Sequence, residues 1–176
     1  LQFLILAQAI EAYHRKMHSA KYLEKDEYDE RVVPVLVAAT KTIGDLSITG
    51  DARKTFLQHL QKTFTWGYEF ALRKRLIDLL TNHLSECRDI VNQIVSDPKM
   101  FAKVFADTRN YYTHYVKDED SRAVTNVPGL WELFSRSRLI FQLCMLVELG
   151  LSMDNIMRIM DTEDFVYLAN SKTTLY

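Results

Sequence analysis

Arg109-Asn110-Tyr111-Tyr112-Thr113-His114 gathers a permanent cation, an amide and a titratable imidazole into one short stretch. A guanidinium grips a phosphate through a planar fork of donors, and an imidazole moves protons near neutral pH. Those are two of the tools needed to cleave a phosphodiester without a metal. On a helix, Asn110 and His114 are four apart and share a face. Arg109 and His114 are five apart, which at about 100° per residue sets them roughly 140° apart around the axis. Side chains so placed flank a groove rather than touch. That suits a phosphate lying across the helix, or a second copy of the helix facing this one. Tyr111, Tyr112 and Tyr115 can stack on bases or pack. By spacing alone a structural reading stays open, in which Arg109 pairs with Asp107 or Asp118.

The elements that must hold this segment read as seven helices. Residues 1–19 carry Phe3, Leu6, Ile10, Tyr13 and Met17 at helical spacing. Residues 26–42 form a second helix, in which Pro34 sits early or makes a kink. Gly44 to Gly50 is a loop, after which Thr49 or Asp51 caps a helix running to about Phe64, broken by Trp66-Gly67. Residues 68–95 continue as one long helix, or as two with a bend around Asn82. Ser96-Asp97-Pro98 is a start signal, because Asp97 caps orphan N–H groups and Pro98 suits the first helical position. That helix runs to about Tyr115 with the RNYYTH segment in its final turns. Lys117 to Gly129 reads as an exposed loop containing a solvated Asp118-Glu119-Asp120 run. Leu130 to Leu149 is apolar nearly all round and belongs at the centre of a bundle, with Trp131 and Phe134 in the core. Gly150 ends it and Ser152 caps a last short helix. The expectation is all-α, a single bundle of six or seven helices over residues 1–169, with a loose tail over 170–176.

The bulk numbers agree. A chain of 176 residues suits one domain, and with only 5 Gly and 3 Pro it lacks the turn punctuation of a many-stranded sandwich. The net charge of −1 supplies no global field for nucleic acid, so such binding must use a local patch. Arg15, Lys16 and Lys21 form one candidate patch and Arg73, Lys74 and Arg75 another. Cys87 and Cys144 are isolated, which fits a reduced, cytoplasmic protein. Leu1 to Ile10 is too short to span a bilayer and lacks the charged start of a signal peptide, so no membrane partner is expected. The absence of an initial methionine, inside an apolar run, predicts a piece of a longer protein.

Glu11, His14 and His18 share one helical face. Glu-x-x-His also occurs in di-iron bundles, but His59 and His83 lack a Glu three residues earlier. One zinc held by His14, His18 and a carboxylate is conceivable. The favoured reading gives Glu11 and His14 a tying role between the first helix and the motif helix, with no metal and no cofactor. The P-loop, dinucleotide-binding, nucleophile-elbow and zinc-protease signatures are lacking.

The segment Phe105 to His114 resembles the signature of the HEPN superfamily: Arg, a polar residue, a few variable residues, then His, in an all-α bundle. Ala9-Ile-Glu-Ala-Tyr-His-Arg15 and Phe70-Ala-Leu-Arg-Lys-Arg-Leu76 resemble its ApeA-like branch of prokaryotic anti-phage proteins. The resemblance implies a metal-independent endoribonuclease working as a homodimer, with two RNYYTH helices facing each other and RNA between them. It implies His114 as general acid or base, Arg109 as phosphate clamp and Asn110 as orienting amide. Glu11, His14, Tyr111 and Tyr112 line the same groove in that reading. It further implies a sensor domain elsewhere in the full-length chain. The alternatives are a noncatalytic nucleotide-binding or dimerisation module and a metal oxidoreductase bundle.

Overall fold

The computed structural model describes residues 1–18, 20–42, 50–115 and 120–170. Its elements are α1 (Gln2–Met17), α2 (Lys25–Arg31), α3 (Val33–Thr42), α4 (Gly50–Phe64), α5 (Leu72–Asp78), α6 (Arg88–Ile94), α7 (Pro98–His114), α8 (Val127–Glu148), α9 (Met153–Met160) and α10 (Glu163–Asn170). Among the described residues the only β pairing is an isolated bridge between Lys21 and Glu69. The fold is all-α. The chain forms two compact units, one of Leu1–Ser19 with Ala71–Tyr176 and one of Ala20–Phe70.

In the smaller unit, the helix expected over 26–42 is two helices meeting at Val32, with Pro34 the second residue of α3. A proline there lacks an N–H that the first turn leaves unpaired in any case, so starting a new helix avoids the clash that a continuous one would carry. The Tyr28 hydroxyl donates to the Phe64 carbonyl at 2.7 Å, closing α2 on the end of α4. The loop expected at Gly44 to Gly50 lies outside the described residues up to Gly50, which begins α4.

In the larger unit, α1 buries Phe3, Ala7, Ile10, Tyr13 and His14. The buried stripe is therefore rotated slightly from the one read off the sequence, and Met17 is exposed. This stripe packs with Leu76, Leu79, Phe101, Phe105, Leu133 and Ile140 in one apolar core. Each such side chain taken from water contributes about 1.5–3 kcal/mol.

The bend near Asn82 exists. After α5 the chain widens into a π-turn over Leu79–His83, sealed by a Leu84 N–H donating to the Leu79 carbonyl at 2.9 Å, and then tightens into a short 3-10 turn over Ser85–Cys87. A wide turn followed by a tight one redirects the chain without breaking the helical path.

α7 starts as its sequence predicts. The Asp97 carboxylate accepts from the N–H groups of Lys99 and Met100 at 2.9 and 3.0 Å, with Pro98 in the first position. It stops at Tyr115, whose φ of 55° is a left-handed cap returning its N–H to the Tyr111 carbonyl.

α8 begins earlier than expected. The Asn126 side chain accepts from the Gly129 N–H at 2.8 Å, so Pro128 and Gly129 form the first turn rather than a loop. Trp131 is 51% exposed and packs edge-on against Tyr167 at 6.0 Å, so it is not a core residue. The reason lies in α8 itself, whose inner face includes polar Ser135, Arg136 and Ser137. The Arg136 guanidinium pairs with Glu132 at 2.9 Å and donates to the carbonyls of Ile94 and Leu168, satisfying helix-end groups of α6 and α10. Where one last short helix was expected after Ser152 there are two, α9 and α10, and residues beyond Asn170 lie outside the described residues.

Candidate active site

α7 ends at the surface, and its last turns carry the RNYYTH residues out of the core in register. Thr108 is fully buried, Arg109 is half-buried, and Asn110 and His114 are exposed. The Arg109 Nη2 donates to Glu11 Oε2 on α1 at 2.8 Å, and Nη1 donates to the Asn110 Oδ1 at 3.1 Å. Glu11 also meets Arg15 Nη2 at 3.4 Å through its other oxygen. The Arg109 and Glu11 side chains are 27% and 23% exposed, so the pair is partly desolvated yet open to a ligand. A guanidinium has more N–H donors than these two contacts use. Among the described residues, Arg109 is thus held in place with donors left for an anion.

Of the alternative partners of Arg109, Asp107 is otherwise engaged. The Asp107 carboxylate accepts from Lys103 Nζ at 2.9 Å and from the Arg122 N–H at 2.8 Å. Asp118 lies outside the described residues. Thr113 returns its hydroxyl to the Arg109 carbonyl at 2.8 Å, leaving the end of the helix regular up to His114. Tyr111 and Tyr112 are half-buried and meet edge to face at 5.1 Å, and Tyr111 meets Tyr115 at 6.3 Å. They form an aromatic step beside the Arg109 side chain's own turn.

His14 is placed elsewhere. It is fully buried, its Nε2 lies 2.9 Å from Asp78 Oδ2, and its Nδ1 lies 3.2 Å from the Arg75 guanidinium. Burial holds its ring below the ordinary imidazole value, and the Arg75 charge acts in the same direction against the pull of Asp78. Burial also works to raise the Asp78 carboxyl, but hydrogen bonds from His14 and Asn82 outweigh it and hold that group low. Glu11 therefore ties α1 to the motif helix, whereas His14 ties α1 to α5. Arg75 is 2% exposed, so the basic patch at residues 73–75 reduces to Arg73 and Lys74 on the surface.

A second polar group was not legible beforehand. The Tyr13 hydroxyl donates to Glu148 Oε1 at 2.9 Å and lies 3.0 Å from His83 Nε2. Burial and then the Glu148 carboxylate push the Tyr13 phenol up, and burial and then the neighbouring His18 push the His83 ring down. These residues are 70 and 135 positions from Tyr13, so no local pattern announces them. Cys87 and Cys144 are free and buried, and burial pushes the Cys144 thiol up to about 12, an inert state. Among the described residues no helix is long and apolar enough to cross a membrane.

The model of one protein family, described as Apea-like HEPN, matches residues 4–155 of the chain. That span takes in Glu11, the α5 segment and all of α7. Comparisons with curated proteins and with solved structures return no match.

Proposed function

This chain belongs to the Apea-like HEPN family, and from that premise we propose that it is a metal-independent endoribonuclease acting as an effector in anti-phage defence. Membership of the family supports an RNA-related defence effector. The finer reading is carried by one observation: Arg109 is positioned by Glu11 at 2.8 Å while Asn110 and His114 stand exposed on the same turns of α7.

The ribose 2′-OH attacks its own 3′-phosphorus, the P–O5′ bond breaks, and the products are a 2′,3′-cyclic phosphate and a 5′-OH. One imidazole takes the 2′-OH proton and another gives a proton to the departing O5′. A chain supplies one His114, so two chains with their α7 ends facing each other supply both. Arg109 donates to the non-bridging oxygens as charge gathers there. Asn110, bonded to Arg109, keeps that fork aimed. Two bare guanidinium groups brought face to face repel, and Glu11 supplies the counter-charge that each needs before RNA arrives. DNA lacks the internal nucleophile and is spared. A restraining sensor domain in the full-length protein belongs to this reading.

The test is incubation of end-labelled RNA with wild type, His114→Ala and Arg109→Ala, followed by end-group analysis. Cyclic-phosphate ends from wild type, their loss in both variants, and unchanged helicity and dimerisation are expected. Cleavage surviving both substitutions overturns the site, and RNA binding without cleavage in wild type supports the noncatalytic module instead.

A further inference from the structure

His18, His83 and Glu148 meet at one edge of the larger unit, and the RNA-cleaving site uses none of them. His18 follows α1, His83 closes the π-turn and Glu148 ends α8. One ligand atom from each lies within 4.8 Å of the other two. The Nε2 atoms of His18 and His83 stand 3.9 and 3.7 Å from Glu148 Oε1, and the two rings are 4.4 Å apart. The side chains are 21%, 12% and 30% exposed, so the cluster is desolvated but reachable. The His18 Nε2 is sealed from solvent and takes no hydrogen bond among the described residues. A buried polar atom in that state is costly unless something fills the gap.

We propose that His18, His83 and Glu148 bind one imidazole-preferring divalent cation, of which Zn²⁺ is the best fit. Zinc with nitrogen and oxygen ligands at about 2.0–2.2 Å sets ligand atoms about 3.3–3.5 Å apart. The two contacts to Glu148 therefore need to close by roughly half an ångström or less. Mg²⁺ and Ca²⁺ want sets of oxygens, which two imidazoles do not offer. Three protein ligands leave a fourth position for water. The Tyr13 hydroxyl bonds the same Glu148 Oε1 and His83 Nε2 that the ion takes, so binding displaces that hydroxyl from both. His14 lies beside His18 but is not a ligand, since both its nitrogens face Asp78 and Arg75.

The bound ion joins the end of α1, the π-turn and the end of α8. It binds the folded state alone and stabilises it by an amount that grows with the logarithm of free ion concentration above the Kd. The cleavage chemistry has no step through it, so the two readings fail separately.

The test uses the whole chain stripped with EDTA, titrated with Zn²⁺ by calorimetry and with Co²⁺ by visible spectroscopy. One ion per chain, the absorption bands of tetrahedral cobalt, and a Zn²⁺-dependent rise in Tm are expected. His18→Gln and Glu148→Gln each lower zinc affinity by at least ~100-fold, whereas Tyr13→Phe, which removes the competing hydroxyl, does not lower it. His59→Ala, on an exposed ring in α4, leaves affinity unchanged and controls for stray imidazole binding. Helicity of the metal-free variants separates lost ligation from lost folding, and Glu148→Gln, which keeps the side chain's shape, decides if His18→Gln unfolds. The site is refuted by absence of zinc binding to wild type below millimolar concentration. It is equally refuted if both Gln variants bind as tightly as wild type. RNA cleavage by His18→Gln is expected at the wild-type rate.

Discussion

α1 contributes one carboxylate and one imidazole to two clusters with opposite characters. At Glu11 it meets Arg109 in a half-exposed pair whose guanidinium keeps spare donors. One turn on, at His14, it meets Arg75 and Asp78 in a buried network where both ring nitrogens are engaged. The residue types are alike: an arginine, a carboxylate and a histidine stand at or near each. Only the first can meet a ligand, because its cation is held but not exhausted and its neighbouring His114 faces solvent. The second is sealed and serves to fix α1 against α5. Residue chemistry nominates a site, and unspent hydrogen-bonding capacity at an accessible place makes one.

The sharpest way to break this contrast is to remove chemistry from each side. On the exposed side, His114→Ala is expected to lower the RNA cleavage rate by about 10²–10⁴-fold, the usual worth of a general acid or base, with urea unfolding unchanged. On the buried side, Arg75→Ala is expected to lower stability by about 1–3 kcal/mol, because it leaves the buried His14 Nδ1 without its donor, with Tm falling accordingly. If the two variants exchange phenotypes, the assignment of roles is wrong.

A smaller effect sharpens the exposed pair. Glu11→Gln is expected to cost under about 1 kcal/mol of stability, as half-exposed ion pairs do. It should still slow cleavage by about tenfold, the value of one hydrogen bond to a charged group. Single-turnover rates with saturating RNA, beside urea midpoints, measure both.

The smallest effect comes from pH. Burial holds His14 and His83 below the ordinary imidazole value. Above about 6.5 both states carry neutral rings and nothing is lost. As pH falls below that value the unfolded rings take protons while the folded ones resist, so the unfolded state binds more protons and stability drops toward the folded value. Groups facing these rings are Arg75, Asp78, His18, Glu148 and the Tyr13 hydroxyl. Urea midpoints in EDTA at pH 7.5 and 5.5 should show the decline, and a flat profile would contradict the buried-network picture.

Much of this fold was legible because helices are written in local spacing. Asp97-Pro98 announces the start of α7, and the RNYYTH register brings Arg109 and His114 to its surface end. The bend near Asn82 showed in the uncertainty of a long pattern, and its π-turn is the physical form. What failed was also informative. Trp131 fits an apolar helix by periodicity, yet it is half-exposed because Arg136 and two serines occupy the inward face. Arg75 sits in a run of surface-type cations and is nonetheless buried, since His14, 61 positions away, offers it a ring nitrogen and is itself held by Asp78.

The sequence by itself determined the all-α class, the capped start of α7, the family resemblance and the membership of the RNYYTH motif, because capping and periodicity act within a few residues. The partner of Arg109, the burial of Arg75 and the meeting of His18 with His83 and Glu148 were decided only by tertiary structure. Glu11 and Arg109 are 98 positions apart. Only the packing of α1, α5, α7 and α8 around one apolar core sets which polar groups face each other. That packing depends on the shapes of many side chains at once, and no local spacing records it.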